Sequence, residues 1–330
     1  TKKIKVINEK TMIAALDIGK ATHYAYFRAP NGMDIKPFPF DNFRKGFHSF
    51  WEKLCQFKRE HKLEDIVVGF ESTGPYAEPL LHYLRKKPVK LVQINPMHSK
   101  RVKELTGNSP NKTDKKDPRV IADVISLGHA LTLVVPEGSA AELRRLTMAR
   151  ERAIKSRTAM INQIQHLIFV IFPELLKIFK DISIKSAIFL IKNHPAPEDI
   201  ISMGLESLTN ILRRISRYQL SKERIKELFK SAEQSIGIHE GKDSTLMEIK
   251  HLIYAIEDKS RFIDELENQM ANHLDQIPYS YCILSIKGIG LITVAGLIGE
   301  VGDFRKFDTI SEMMKLAGLD LFEVSSGKHK

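Results

Sequence analysis

Residues 12–29 read MIAALDIGKATHYAYFRA. Two apolar runs, MIAALDI and HYAYFRA, are joined by only a few residues. Runs of this length, rich in aliphatic and aromatic members, predict strands, and the short connection predicts that the two pair antiparallel. Outward from this hairpin come the turn-rich NGMDIKPFPF, the amphipathic FRKGFHSFWEKLCQFKREH, then DIVVGFE, PYAEPLLHYLRKK and VKLVQIN. Strand-like and helix-like segments alternate, so residues 11–136 are expected to form an α/β sheet domain whose crossovers begin after the hairpin.

The 330 residues carry 51 Lys and Arg against 40 Asp and Glu, a formal net charge of +11. That length allows two or three domains with their own cores, and the positive balance points to a polyanionic partner. The two cysteines, Cys55 and Cys282, lie far apart and in no paired spacing. A disulfide framework and a thiolate zinc site are thereby excluded, and a reducing cytoplasm fits. The basic start, TKKIKVINEK, is not followed by a signal-type apolar region, and the longest aliphatic and aromatic run, residues 167–172, is cut short by Pro173. No membrane is expected.

Over residues 137–278 the strand signals vanish. One helix is expected over residues 140–172 and a second over 244–277, with shorter pieces such as LESLTNILRRISRYQ between them. In the second, Ile249, Ile256, Ile263, Met270 and Ile277 recur every seven residues, supported by Leu252 and Leu266. Such a seam suits a coiled coil between two chains. It equally suits a hairpin within one chain, against Leu146, Met160, Ile164 and Leu167, and the pattern leaves both open. Residues 279–330 then switch to LSIKGIGLITVAGLIGEVGDF, a third domain of small helices with a helix-hairpin-helix-like turn. Gly288 and Gly290 have the spacing of a turn that points backbone N–H groups at a phosphate, and also of glycines that let helices pack closely.

Carboxylates recur where a sheet would bring them together. Asp17 ends the first strand, Glu71 ends DIVVGFE, and TDKKDPR at residues 113–119 holds Asp114 and Asp117 with Lys115 and Lys116 between them. Alone, the last segment is an ordinary exposed helix start. Taken with two strand-end acids it reads differently. Adjacent strands can set Asp17 beside Glu71 while a helix packed on the sheet lowers Asp114 and Asp117 toward them. Four clustered anions repel unless divalent cations neutralise them, and hard oxygen donors select Mg²⁺ or Mn²⁺. That is the donor set of a two-metal phosphodiester site, with the intervening lysines able to meet a phosphate backbone. Pro118 disfavours a helical residue before it, so a helix should start or kink there and a loop should hold the pair.

This order resembles the ribonuclease-H-like fold of the Holliday-junction resolvase type. More closely, ALDIGK, FESTGPY, INPMHSKR and TDKKDPRVIADVI are similar to segments of the DEDD insertion-sequence transposases, the Piv-invertase-like family of bridge-RNA-guided recombinases. The segment from IKGIGLITVAGL to FEVSSGK is similar to that family's C-terminal transposase domain. The resemblance implies that Asp17, Glu71, Asp114 and Asp117 bind the metal ions, and that Ser326, with Ser325 as its neighbour, is a nucleophile forming a covalent phosphoserine intermediate. It implies donor and target DNA and a structured noncoding guide RNA as partners, a homodimer or tetramer, and a prokaryotic, nucleoid-associated setting. The family continues beyond the position of Ser326, and this chain starts without methionine, so a shortened C-terminal domain is expected.

Basic residues fit the same expectation. Lys100, Arg101 and Lys103 follow INPMHS, while Arg144, Arg145, Arg150, Arg152, Lys155 and Arg157 crowd the first long helix against only Glu142 and Glu151. A one-signed helix face costs repulsion unless a polyanion covers it, so RNA contact is expected there. Two alternatives compete. D-I-G-K after an apolar strand also suits an actin or sugar-kinase-like phosphotransferase, which needs a second Asp-Gly phosphate motif that this sequence lacks. A non-catalytic nucleic-acid-binding protein would need no set of four acids.

Overall fold

The computed structural model describes residues 7–71, 74–105, 117–133, 135–307, 309–310 and 313–314, with the side chains of Leu105, Asp117, Thr132 and Lys306 outside that description. The chain divides into two compact units. One holds the described residues up to Val135 together with those from Phe304 onward, and the other is Pro136–Asp303.

The first unit is built on a six-stranded sheet of order β3-β2-β1-β4-β5-β6. Its strands are β1 (Thr11–Asp17), β2 (Thr22–Arg28), β3 (Phe38–Asp41), β4 (Asp65–Glu71), β5 (Lys90–Ile94) and β6 (Ala130–Thr132). The expected hairpin is present: β1 and β2 pair antiparallel, and β2 pairs antiparallel with β3. β4 runs parallel to β1 and β5 parallel to β4, while β6 returns antiparallel. The turn-rich NGMDIKPFPF contains most of β3 and hid that short strand.

Central strands buried on both faces explain why MIAAL and IVVGF read as unbroken apolar runs. On one face Met12, Ala14, Leu16, Phe27, Val68 and Phe70 meet α1 (Arg44–Glu60) and α2 (Glu78–Leu84) through Phe50, Leu54 and Leu80. On the other, Ile13, Ala15, Tyr26, Val67 and Val92 meet α4 (Asp117–Ser126) through Ile121, Ala122 and Ile125. Between β5 and α4 lies α3 (Pro96–Leu105). Gly69 on β4 makes the seating of α4 possible: a Cβ there would lie 2.4 Å from Ile125 Cδ1 and 2.9 Å from Val92 Cγ2.

The second unit is helical. α5 (Ser139–Ile171) and α11 (Lys242–Asp275) are each roughly 50 Å long at 1.5 Å per residue. They run antiparallel, joined by Ser139–Gln276 at 2.7 Å, Arg150–Glu267 at 2.6 Å and Gln163–Glu248 at 2.6 Å. Of the heptad stripe, Ile249, Leu252 and Ile256 are buried in one core with Ile164 and Ile168 of α5. The two-chain coiled coil therefore gives way to the intrachain hairpin. Beyond Phe172 the chain folds into α6 (Leu175–Ile178), α7 (Lys185–Asn193), α8 (Pro197–Met203), α9 (Leu205–Ile215) and α10 (Lys222–Glu233). Leu190, Ile200, Leu208, Leu212, Ile225 and Leu228 close these onto the hairpin's end.

The second expected boundary, at residues 278–279, differs from the structure. α12 (Ser280–Leu284) and α13 (Leu291–Val301) belong to the helical unit. α13 crosses α5 closely enough that a Cβ on Gly299 would stand 2.8 Å from the Arg144 backbone nitrogen, and Tyr279 donates its hydroxyl to the Gly302 carbonyl at 3.1 Å.

Candidate active site and nucleic-acid surfaces

Asp17 and Glu71 are the last residues of β1 and β4. The two strands are parallel, with Leu16 opposite Phe70. One further step in that register sets Asp17 level with Glu71 at the carboxyl edge of the sheet, on strands spaced about 4.8 Å apart. Both side chains are half-buried.

Two side chains that sequence reasoning missed organise the loops leaving these strands. After β1 the chain turns, and the Gly19 N–H donates to His23 Nδ1 at 3.2 Å. His23 is fully buried, edge-on to Phe40 and stacked near Phe47. Burial, offset in part by Asn42, holds its imidazole below the ordinary value. Asn42 Nδ2 donates both to the Lys20 carbonyl at 3.2 Å and to the Tyr76 carbonyl at 3.1 Å. One amide thus ties the loop after Asp17 to the turn after Glu71. Nothing in DNFR marks such a role, because a lone Asn beside an aromatic is ordinary turn chemistry.

α4 is described from Asp117 onward, with the buried Pro118 next to its first described residue, and the segment before Asp117 lies outside the described residues. Arg119 lies over the Tyr26 ring at 5.5 Å, and Asp123 accepts from Arg28 at 2.6 Å. Tyr26 stands opposite Ala15 and Arg28 opposite Ile13. Reading α4 backward from Asp123 to Arg119 therefore moves toward the Asp17 end of β1, and Asp117 continues in that direction. Asp114, Lys115, Lys116, Ser325 and Ser326 lie outside the described residues. Among the described residues no three His, Cys, Asp or Glu side chains converge on one point. The donors that are described, two carboxylates at neighbouring strand ends, have the hard-oxygen chemistry that Mg²⁺ or Mn²⁺ requires.

The basic residues divide. Lys100 and Arg101 are exposed and Lys103 half-buried on α3, which leaves β5 at the same carboxyl edge. Asn95 Oδ1 caps that helix by accepting from the Met97 N–H at 2.9 Å. Along α5 the expectation of an uncompensated face is corrected. Arg150 pairs with Glu267 at 2.6 Å, Arg144 with Glu300 at 3.6 Å, and Lys155 with Glu151 at 2.6 Å. The acids that meet Arg150 and Arg144 come from α11 and α13, which one helix's sequence cannot reveal, while Lys155 is met by Glu151 of α5 itself. Arg145 and Arg152 are exposed.

Gly288 has φ 91°, a conformation that favours glycine, and a Cβ on Gly288 or on Gly290 would meet nothing within 4 Å. Close helix packing is therefore the work of Gly299 in this region and not of the G-x-G turn. That turn faces open space ahead of α13, whose N-cap is Gly290.

A mixed sheet ending in paired carboxylates, in a chain that also holds a helical unit, is consistent with a ribonuclease-H-like enzyme acting on nucleic acid. The family model of the DEDD transposases of IS110, described as a transposase, matches residues 14–173. A second, described as the transposase IS116/IS110/IS902 family, matches residues 280–330. The chain belongs to the IS110 family of DEDD transposases and is a DNA transposase. It is 23% identical over 318 residues to a 43.6-kDa protein of insertion element IS110 from Streptomyces coelicolor, covering 94% of this chain and 76% of that protein. To a 44.8-kDa protein of insertion element IS116 from Streptomyces clavuligerus it is 24% identical, covering 95% of this chain and 77% of that protein. The phosphotransferase and non-catalytic alternatives fall away with this result. Among the described residues no helix is long and apolar enough to cross a membrane.

Proposed function

We propose that this transposase cuts and rejoins DNA at the carboxyl edge of its sheet, with Asp17, Glu71, Asp114 and Asp117 holding Mg²⁺ and Ser326 as nucleophile, under the direction of a structured guide RNA. The observation that carries the reading is the level pairing of Asp17 and Glu71 on parallel strands, with α4 described from Asp117 onward. DEDD transposases typically use divalent metals, and bound Mg²⁺ supplies charge neutralisation at the scissile phosphate. The chain's own residues then do the rest. The Ser326 oxygen attacks phosphorus and loses its proton to solvent, the bond from phosphorus to the departing deoxyribose oxygen breaks, and that oxygen takes up a proton from solvent to leave as a hydroxyl. Rejoining reverses these bonds on a second strand. The C-terminal family match, which spans Ser325 and Ser326, supports the serine.

Guide-RNA binding is supported by exposed Arg145 and Arg152 on α5, by Lys100 and Arg101 on α3, and by the open Gly288–Gly290 turn, whose backbone N–H groups suit a phosphate. Assembly as a dimer or tetramer remains part of the proposal. The test is a cleavage reaction with the full chain, guide RNA, donor and target DNA, and Mg²⁺. Expected is a covalent protein–DNA adduct that needs the guide and disappears in Ser326→Ala. An adduct formed equally without guide RNA would overturn RNA direction, and one that persists in Ser326→Ala would overturn the nucleophile.

A further inference from the structure

The end of α9 breaks a rule that helix ends usually obey. Tyr218 N–H donates to the Arg213 carbonyl at 2.7 Å and Arg217 N–H to the Arg214 carbonyl at 3.2 Å. That is a Schellman ending, in which the first residue past the cap takes a left-handed conformation and is commonly glycine. Here it is Arg217, with φ 50°, and the next residue, Tyr218, also has positive φ at 63°. Of three non-glycine residues with positive φ among the described residues, these two are adjacent. Each L side chain so placed crowds its own backbone, and glycine would relieve it.

The strained turn presents a particular chemistry. Tyr218 is 69% exposed, so its ring does not supply the buried contact that usually accompanies this ending. The Arg213 guanidinium lies 4.9 Å from the ring centre, with its Nε buried and lacking a hydrogen bond. Arg214 and Arg217 are exposed beside it. From Ser207 to Lys222 the sequence holds Arg213, Arg214, Arg217 and Lys222 and no acid. Unlike Arg144 and Arg150 on α5, Arg213, Arg214 and Arg217 form no ion pair among the described residues.

An open aromatic face, backed by one guanidinium and flanked by cations, fits an unpaired nucleobase and its phosphates. We propose that Tyr218, with Arg213, Arg214 and Arg217, is a stacking platform for a single-stranded segment of nucleic acid, either a loop of RNA or a displaced DNA strand. Base and phosphate chemistry is common to both. The strain follows, because glycine at these positions would ease the backbone and remove the groups that bind. The proposal rests on the nucleic-acid reading of the chain but uses none of the residues assigned to cleavage or to RNA binding on α5.

The experiment uses the full chain and one 12-nucleotide sequence in three forms: single-stranded RNA, single-stranded DNA and duplex DNA, each single strand carrying a central 2-aminopurine. Tyr218→Ala should weaken single-strand binding by about ten-fold, the range expected for one stacked base, and abolish the fluorescence change on stacking, with duplex binding unchanged. Tyr218→Trp should restore both. Arg217→Gly should raise Tm while weakening single-strand binding and flattening its salt dependence. Preference between the RNA and DNA strands identifies the source of the ligand. Wild-type affinity and fluorescence in Tyr218→Ala overturns the platform, as does equal loss of duplex binding, or a gain in Tm for Arg217→Gly with unchanged affinity. If wild type binds none of the three forms while Arg145 and Arg152 still mediate guide-RNA binding, the platform alone fails. If no nucleic acid binds at all, the broader reading fails with it.

Discussion

Asp17 and Glu71 stand level at the carboxyl ends of two parallel, hydrogen-bonded strands, although 54 positions separate them in the chain. The relationship follows from strand direction alone. β1 and β4 run the same way, so a residue that ends one is brought beside the residue that ends the other, and the crossover through α1 is what allows it. Two carboxylates in this position offer the hard oxygen donors that a divalent cation takes.

Replacing either acid separates chemistry from folding. Asp17→Ala and Glu71→Ala should each abolish strand cleavage in Mg²⁺ while circular dichroism stays that of wild type. Removing one of two neighbouring anions should leave Tm in metal-free buffer unchanged or raised. Either variant cleaving at the wild-type rate would take that residue out of the site.

Gly69→Ala should push α4 off the sheet. Its new Cβ would overlap Ile125 Cδ1 at 2.4 Å, an overpacking worth about 1–3 kcal/mol, read by urea denaturation. Adding Ile125→Val removes the clashing atom and should recover part of the loss. A simple sum of the two single effects would show that the contact does not set the helix position.

Asn42→Ala frees the loops after Asp17 and Glu71 from each other. A stability loss of about 1 kcal/mol is expected from the hydrogen bonds. Single-turnover cleavage should fall further, by about ten- to a hundred-fold, because small displacements of reacting groups are costly. DNA affinity should hold. Unchanged cleavage with the expected loss of stability would leave Asn42 a purely structural residue.

His23 makes stability depend on pH with a defined sign. Its folded value is depressed, since burial favours the neutral ring by more than Asn42 opposes it. The unfolded chain therefore binds the proton more readily. The folded state keeps its full stability above the ordinary imidazole value of 6.5 and loses stability as pH falls below it, until the depressed folded value is passed. Tm measured from pH 7.5 to 5.5 should fall in wild type and fall less in His23→Asn. Parallel curves would exclude His23 as the cause.

Charge reversal of Arg145 and Arg152 should weaken guide-RNA binding and lower the salt slope by about 0.7–0.9 for each phosphate that is no longer neutralised. Reversing Arg150, already paired with Glu267, should instead lower Tm. Identical affinity and slope in the double reversal would make the exposed side of α5 a solvated face.

The strand runs were legible because central strands are apolar on both faces, and the ends of both long helices were legible from their periodicity and from Pro173. β3 and β6 were not. One has Pro39 within four residues, and the other is three residues long. Asp17 and Glu71 could be named because a strand end is a local signal. The neutralisation of Arg144 and Arg150 was hidden, since its acids come from α13 and α11, and so was the role of Asn42, which exists only once two loops meet. The heptad stripe was visible, but a stripe does not say whether its partner is another chain.

That partner is α5. A seam shared by two molecules comes apart on dilution, because its stability includes the concentration of the second molecule. The α5–α11 pair carries no such term. Its melting should be the same at nanomolar as at micromolar protein, so a transposase present in a few copies per cell would keep this unit folded, and the supply of chains would govern only whatever assembly takes place on its remaining surfaces.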